Sequence, residues 1–279
     1  MVANRRRGRS GRFLAYGLII LFSAVFIAPF LWMILTSLKP QEEIYAFPPR
    51  FFPEAVTGLN YYLAVTKMPY LRYTINTVVI SVLTVTGMVI SSSMVAYSVS
   101  KIRWRGANII FPLIVGTMMI PMQVTMIPLY MVFTRMGLVG TIVPLVLPAF
   151  TGGAYYIFLL RQFFKTIPDS LIESATIDGA GEVRIFLRIL LPLCKPALTS
   201  VAIFTFLAAW SDFLGPLLYL NRAEEYTLSL GLQAFMQTHY VEWGPLMAAS
   251  AIFTVPTVVL FFFAQSFFIE GITVTGIKG

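Results

Sequence analysis

Residues Phe13–Leu38 read FLAYGLIILFSAVFIAPFLWMILTSL, a run without a single charged side chain. A helix needs roughly 20 mainly apolar residues to cross the hydrocarbon core of a bilayer. Five arginines, Arg5, Arg6, Arg7, Arg9 and Arg12, stand just before the run. It is too long for a signal-peptide core, and no small-x-small cleavage site follows it, so a retained first span is expected. Five more runs have comparable character: Tyr73–Ser100, Ile109–Phe133, Ile142–Phe164, Pro196–Leu220 and Leu246–Ile269. Lipid offers no partner to unpaired backbone groups, so each should be helical. The expected fold class is all-α: a polytopic membrane protein with six transmembrane helices in a single domain over residues 1–279.

Composition agrees with this. Of the 279 residues, 58% are hydrophobic and 11% charged, against about 25% charged in soluble domains. Too few polar side chains exist to coat a water-facing surface, so lipid is the expected partner over much of it. The net charge of +8 does not point to nucleic acid, because the basic residues fall in short clusters between apolar runs. One cysteine, Cys194, excludes an internal disulfide and a cysteine cluster for metal. One histidine, His239, excludes paired-histidine metal motifs. No metal site is expected.

Six spans place both termini on one side. With that side in the cytoplasm, Arg5, Arg6, Arg7, Arg9, Arg12, Lys101, Arg103, Arg105, Arg161, Lys165, Arg184, Arg188, Lys195 and Lys278 lie inside. Lys39, Arg50, Lys67, Arg72, Arg135 and Arg222 lie outside. This asymmetry satisfies the positive-inside rule, and the reverse orientation violates it. Both termini are therefore expected in the cytoplasm. Prolines 112, 121, 128, 144 and 148 should kink or end helices beside a cavity. Ser91, Ser92, Ser93 and Ala96 are small enough for helices to approach closely. The outer stretches 39–72 and 221–245 read as connecting loops or as a docking surface for an outside partner.

One stretch departs from the membrane pattern. Residues 166–192 read TIPDSLIESATIDGAGEVRIFLRILLP, on the cytoplasmic side in this topology. Pro168 and Asp169 suit a helix first turn, where proline loses no bond and a carboxylate meets the positive end of the dipole. Leu171, Ile172 and Ala175 share a face. Gly179 and Gly181 interrupt, each costing about 1 kcal/mol inside a helix. Val183, Phe186, Leu187 and Leu190 then form an amphipathic stripe, and Pro192 ends the segment. Two short helices about a glycine turn are expected. Either they pack as an interfacial element under the bundle or they form a knob with Glu173 as its acidic tip.

The same stretch resembles the Glu-Ala-Ala loop of binding-protein-dependent ABC importer permeases. Glu173-Ser174-Ala175, then Gly179, Ile189, Leu191 and Pro192 stand at the spacing of that pattern, and Asp178-Gly179-Ala180 matches its fuller form. Ser174 in place of alanine is the one departure, small for small. Thr36-Ser37-Leu38-Lys39-Pro40, Trp210-Ser211-Asp212-Phe213-Leu214-Gly215-Pro216-Leu217 and the tail from Glu270 to Gly279 are similar to carbohydrate-type, maltose-transporter-like permeases, with Ser211 for the usual asparagine. The resemblance implies a coupling-helix loop between helices 4 and 5, a second homologous permease, a dimer of cytoplasmic ATP-binding-cassette ATPases and an extracytoplasmic solute-binding protein. It implies that Glu173 contacts the ATPase and that Gly179 lets the helix seat there. The solute implied is a sugar or a similar polar molecule, taken into the cytoplasm.

No GxxxxGK[ST] phosphate loop occurs, so this chain is expected to be a transport subunit and not an enzyme, with no cofactor of its own. ATP and Mg would be bound by the partner ATPases. Gly152-Gly153 reads as a packing site or helix bend. Asp212 is the one acid well inside a span, where a charge costs roughly 2.5–3.5 kcal/mol on insertion scales. It either holds span five by hydrogen bonds or faces the solute; a stretch shared across a family cannot encode one substrate, which favours the first. Trp210, Ser211 and Gln123 are further candidates to line a path. An ion-coupled secondary carrier is the competing class, but Asp212 is nearly alone at depth and no repeat relates the halves.

Overall fold

The computed structural model describes the backbone of residues 9–236 and 240–275 and the side chains of residues 11–236 and 240–265. His239, the arginines Arg5 to Arg7 and the terminal Ile277-Lys278-Gly279 lie outside the described residues. Within them the chain is almost entirely helical, and strand-like pairing is confined to one bridge between Met236 and Val241. Four helical stretches are long and apolar enough to cross a membrane: Gly11–Ser37, Tyr70–Ser98, Val143–Thr166 and Trp243–Gln265. Two bent pairs, Ala107–Thr117 with Met122–Arg135 and Glu182–Leu193 with Lys195–Trp210, bring the candidates to six if each pair counts as one span.

Three of the expected spans are broken, Ile142–Phe164 among them at Gly152-Gly153. Ile109–Phe133 is not continuous: its two helices meet at 99°. Pro121 stands at the corner in an extended conformation (φ −62°, ψ 141°), and its ring disfavours helical geometry in the residue before it. Pro112 and Pro128 sit inside the flanking helices. Pro196–Leu220 also differs. The helix Lys195–Trp210 stops at Ser211, and a separate short helix follows at Leu214–Tyr219. Asp212 makes the restart possible, its Oδ1 accepting the Gly215 N–H at 3.1 Å. The apolar stretch extends instead upstream of Lys195, through an 81° corner to Glu182–Leu193.

The described residues form two compact units. One comprises the chain through Tyr70 with Leu232–Val255. Here the 39–72 stretch is no plain loop but carries helices Gln41–Ile44 and Leu59–Thr66. The amide of Asn60, on the second of these, donates to the carbonyls of Ser37 (3.0 Å) and Lys39 (2.7 Å). These end the first long helix, where carbonyls lack intrahelical partners. Lys39 is buried, with its Nζ donating to the Arg50 carbonyl and lying 4.8 Å above the Trp32 ring. Gly244 leaves room for Asn60, whose Oδ1 would lie 2.4 Å from any Cβ placed there. Asn60→Ala is expected to lower stability by about 1–3 kcal/mol, the cost of leaving buried acceptors unpaired. Thermal unfolding of the purified protein in detergent checks this.

The other unit comprises Leu71–Gly231 with the stretch from Pro256 onward. In it Ser91 and Ser92 serve a broken helix. The Ser91 hydroxyl donates to the Ala149 carbonyl (2.8 Å), and the Ser92 hydroxyl accepts the Gly153 N–H (3.1 Å). These contacts satisfy backbone groups freed where a 3-10 turn, Leu147–Thr151, runs into Gly152 at φ +87°. The core of this unit joins Ala96, Tyr97, Ile157, Leu160, Phe164, Ala175, Ile185, Leu190 and Ala197. It therefore packs the end of Tyr70–Ser98 and the helix Ala154–Thr166 against the 169–193 segment.

Candidate functional site: a capped helical segment and a half-open cavity

The segment 169–193 folds as two short helical pieces about a glycine turn. Its first helix, Asp169–Ile177, carries Asp169 in its first turn. The helix ends in a left-handed cap: Gly179 has φ +79°, its N–H donates to the Thr176 carbonyl (3.0 Å), and the Ala180 N–H donates to that of Ala175 (2.9 Å). This is the Schellman arrangement, with glycine at the position where a Cβ is disfavoured. It accounts for most of the motif. Ala175 supplies a buried methyl and an accepting carbonyl, Ala180 packs on the core, and Gly179 makes the turn.

The second piece explains Ile189, Leu191 and Pro192. Pro192 has no N–H to give the Arg188 carbonyl. Just upstream the backbone widens into a π turn, Phe186–Leu190, in which the Leu191 N–H donates to the Phe186 carbonyl. Ile189 and Leu191 are half-buried, and Pro192 is exposed. The chain then turns the 81° corner beside Cys194.

What remains exposed on the segment is mixed in character. Glu173, Ser174 and Asp178 face outward, together with Leu171, Ile177 (86% exposed) and Val183 (72%). The inner face is held by polar contacts. Lys101 donates from Nζ to the Ile167 carbonyl and to Asp169 Oδ1, both at 2.6 Å. That ammonium holds the Asp169 carboxyl below its ordinary pKa through the hydrogen bond and the opposite charge. Tyr97 donates its hydroxyl to the Glu182 carboxylate.

A separate feature is a cavity of about 340 Å³ lined by Ile80, Thr84, Met88, Met122, Tyr156, Thr205, Asp212 and Thr227, among others. Small-molecule sites typically occupy about 300–1,000 Å³. Of the four residues expected to line a path, the structure brings only Asp212 to this cavity. Trp210 is buried, 2% exposed, and its ring stacks with Phe206 at 5.4 Å. Ser211 is exposed and bonds back to the Leu207 carbonyl at 2.6 Å. Gln123 is exposed next to Met122, which does line the cavity. Thr84 and Thr205 were not legible as site residues. Elsewhere Thr77 and Thr86 bond back to the carbonyl four residues earlier. The hydroxyls of Thr84 and Thr205 are buried and make no hydrogen bond among the described residues. Lys101, Tyr97 and Glu182 were likewise missed, since a lysine after a span carries no local sign beyond its charge.

This architecture has known counterparts. A crystal structure of a bacterial ABC transporter involved in the import of the acidic polysaccharide alginate contains a chain that superposes with a TM-score of 0.82, covering 94% of this chain and 98% of that one at 21% identity. At the level of sequence, the chain is 35% identical over 263 residues to the arabinooligosaccharides transport system permease protein AraQ of Halalkalibacterium halodurans, covering 93% of each. It is 31% identical over 266 residues to the trehalose/maltose transport system permease protein MalG of Thermococcus litoralis, covering 93% of this chain and 94% of the relative. It is 31% identical over 263 residues to the inner membrane ABC transporter permease protein YcjP of Escherichia coli, covering 93% and 94%. Residues 87–274, which hold the capped segment and all of the cavity lining except Ile80 and Thr84, match the family of binding-protein-dependent transport system inner membrane components, so the chain belongs to that family and is a permease subunit of an ABC-type importer.

Proposed function

We propose that this permease moves a sugar, or a solute of similar polarity, into the cytoplasm, powered through the segment 169–193. In this reading both termini are cytoplasmic, the spans number six, and the chain pairs with a second, homologous permease surrounded by lipid. A solute-binding protein delivers the solute from outside. Two ATPase subunits, holding ATP and Mg, each receive one such segment. The observation that carries the coupling role is the outer face of the Asp169–Ile177 helix. It places the Glu173 charge beside exposed Leu171 and Ile177 on a rigid, capped support, a mixture suited to a protein partner more than to water or acyl chains.

The sugar assignment draws on the relatives and on the cavity. A polyol offers donors and acceptors to Thr84, Thr205 and Asp212 and an apolar ring face to Tyr156. Sugar recognition needs that combination of a few placed polar groups in an apolar pocket.

Reconstitution with the partner subunits and the binding protein tests both parts. A sugar panel should include at least one member that stimulates ATP hydrolysis and accumulates in vesicles. Glu173→Lys reverses the charge at the tip, and like charges brought together at a contact cost several kcal/mol. Uptake is expected to fall about tenfold or more, as 1.4 kcal/mol is already tenfold in an equilibrium, with the chain still present in the membrane. Undiminished uptake by this variant removes the coupling role from the helix.

A further inference from the structure

The segment 169–193 is joined covalently to the helices Ala154–Thr166 and Lys195–Trp210, yet its polar anchors come from elsewhere. They lie at the end of the Tyr70–Ser98 helix and in the turn after it. Lys101, with a side chain 4% exposed, bonds the Ile167 carbonyl and Asp169 at the start of the first piece. Tyr97 bonds Glu182 at the start of the second piece, and its ring lies 5.2 Å from that of Phe186. One helix end therefore grips both halves of the segment, on either side of the Gly179 turn. The preceding helix is tied to the same turn, because Arg161 Nε donates to the Val99 carbonyl at 3.1 Å.

An apolar side chain at position 101 would fill this space without desolvation cost, whereas burying an ammonium is costly unless its partners are well placed. What the lysine adds is direction: it fixes where the helix start must sit. The other end of the connection is also visible. Ile80, Thr84 and Met88 of the same Tyr70–Ser98 helix form part of the cavity wall. Met88 and Tyr97 are nine residues apart, about 14 Å along a helix, and the helix Tyr70–Ser98 runs unbroken between them.

We propose that Lys101 and Tyr97 are positioning residues for energy transmission. They latch the coupling segment to the Tyr70–Ser98 helix, so that a movement of the segment shifts the cavity wall directly and not only through the flanking helices. This rests on the coupling role given above to the segment. The latch makes segment and helix one rigid body, the arrangement by which small shifts at one site switch packing at another.

The test uses the full transporter in proteoliposomes with its binding protein, and reads the ATP hydrolysed per solute imported alongside the amount of ATPase copurified. Lys101→Met and Tyr97→Phe are expected to retain an assembled complex that hydrolyses ATP, with the ratio raised about tenfold, inside the usual range of coupling between sites. Lys101→Arg, which keeps the charge, should bring the ratio back toward the parent. Tyr97→Phe removes one hydroxyl and leaves the ring against Phe186, so it answers even if Lys101→Met fails to assemble. An unchanged ratio in Tyr97→Phe and in assembled Lys101→Met overturns the proposal. So does a loss of complex and uptake in step, at constant ratio per complex, which marks a structural role only. Gly179→Asp in the same assay separates the two claims. If it uncouples while the latch variants do not, only the latch falls; if it too leaves the ratio unchanged, the coupling role falls with it.

Discussion

Gly179→Asp is expected to leave the chain in the membrane at normal level and to reduce uptake about 100-fold, which corresponds to roughly 3 kcal/mol, the scale of an unfavourable charge placed at a contact. Folding should survive for two reasons. A Cβ at Gly179 meets nothing within 4 Å, so no clash arises. The left-handed conformation at φ +79° costs a non-glycine residue about 1–2 kcal/mol, with aspartate and asparagine the better tolerated. The damage lies in charge. A carboxylate is added at the C-terminal end of the Asp169–Ile177 helix, where the dipole is negative, and beside Asp178. It also lands on the exposed face proposed to meet the ATPase. Gly179→Asn separates these effects, since it accepts the backbone conformation without adding charge, and it should transport far better than the aspartate variant. Equal uptake by Gly179→Asp and the parent, measured in vesicles, would falsify the docking role.

Asp212→Ala is expected to lower stability and to cut uptake about tenfold, whereas Asp212→Asn should leave both close to the parent. Asp212 Oδ1 accepts the Gly215 N–H at 3.1 Å, and its own carbonyl accepts the Ser229 hydroxyl at 2.5 Å. The side chain thus starts the Leu214–Tyr219 helix in the manner of an N-cap, a role whose loss to alanine costs about 1 kcal/mol. Its carboxylate is hemmed in: a Cβ at Gly215 would lie 2.4 Å from Oδ2 and 3.0 Å from Leu145. An asparagine oxygen can accept the same bond. Thermal unfolding and uptake read together decide the matter. If Asp212→Asn assembles normally but no longer transports, the charge itself faces the solute, and the cap is secondary.

The resemblance of the motif around Glu173 and Gly179 was visible from residue types and spacing, and the structure supplies the mechanics. Ala175, Gly179 and Ala180 are three parts of one helix cap, and their spacing is that of its two hydrogen bonds. The Leu191-Pro192 end of the motif follows directly on a π turn, in which the Leu191 N–H bonds the Phe186 carbonyl. The breaks inside the apolar runs were only partly legible. Pro121 announced its corner, but the interruption at Ser211–Phe213 is set by the bond from Asp212 to Gly215 and by Gly215 fitting against Asp212 and Leu145. Trp210 and Ser211 were grouped with Asp212 because they are its neighbours in sequence. Trp210 is the last residue of one helix, and Ser211 and Asp212 lie in the break that follows it, so adjacency there is no guide to a shared cavity.

The sequence by itself determined that this chain is helical and lies in a membrane. The reason is local: in lipid each backbone group must be paired within its own segment, so a long apolar run has one outcome wherever its neighbours sit. It determined the capped segment in the same way, from residues in bonding reach along one short stretch. Only the tertiary structure decided that Lys101 grips Asp169, that Tyr97 grips Glu182, and that Thr84, Tyr156, Thr205 and Asp212 share one cavity. Those partners are far apart in the chain, and their meeting depends on how helices cross and where they bend, which no periodicity in a single segment encodes.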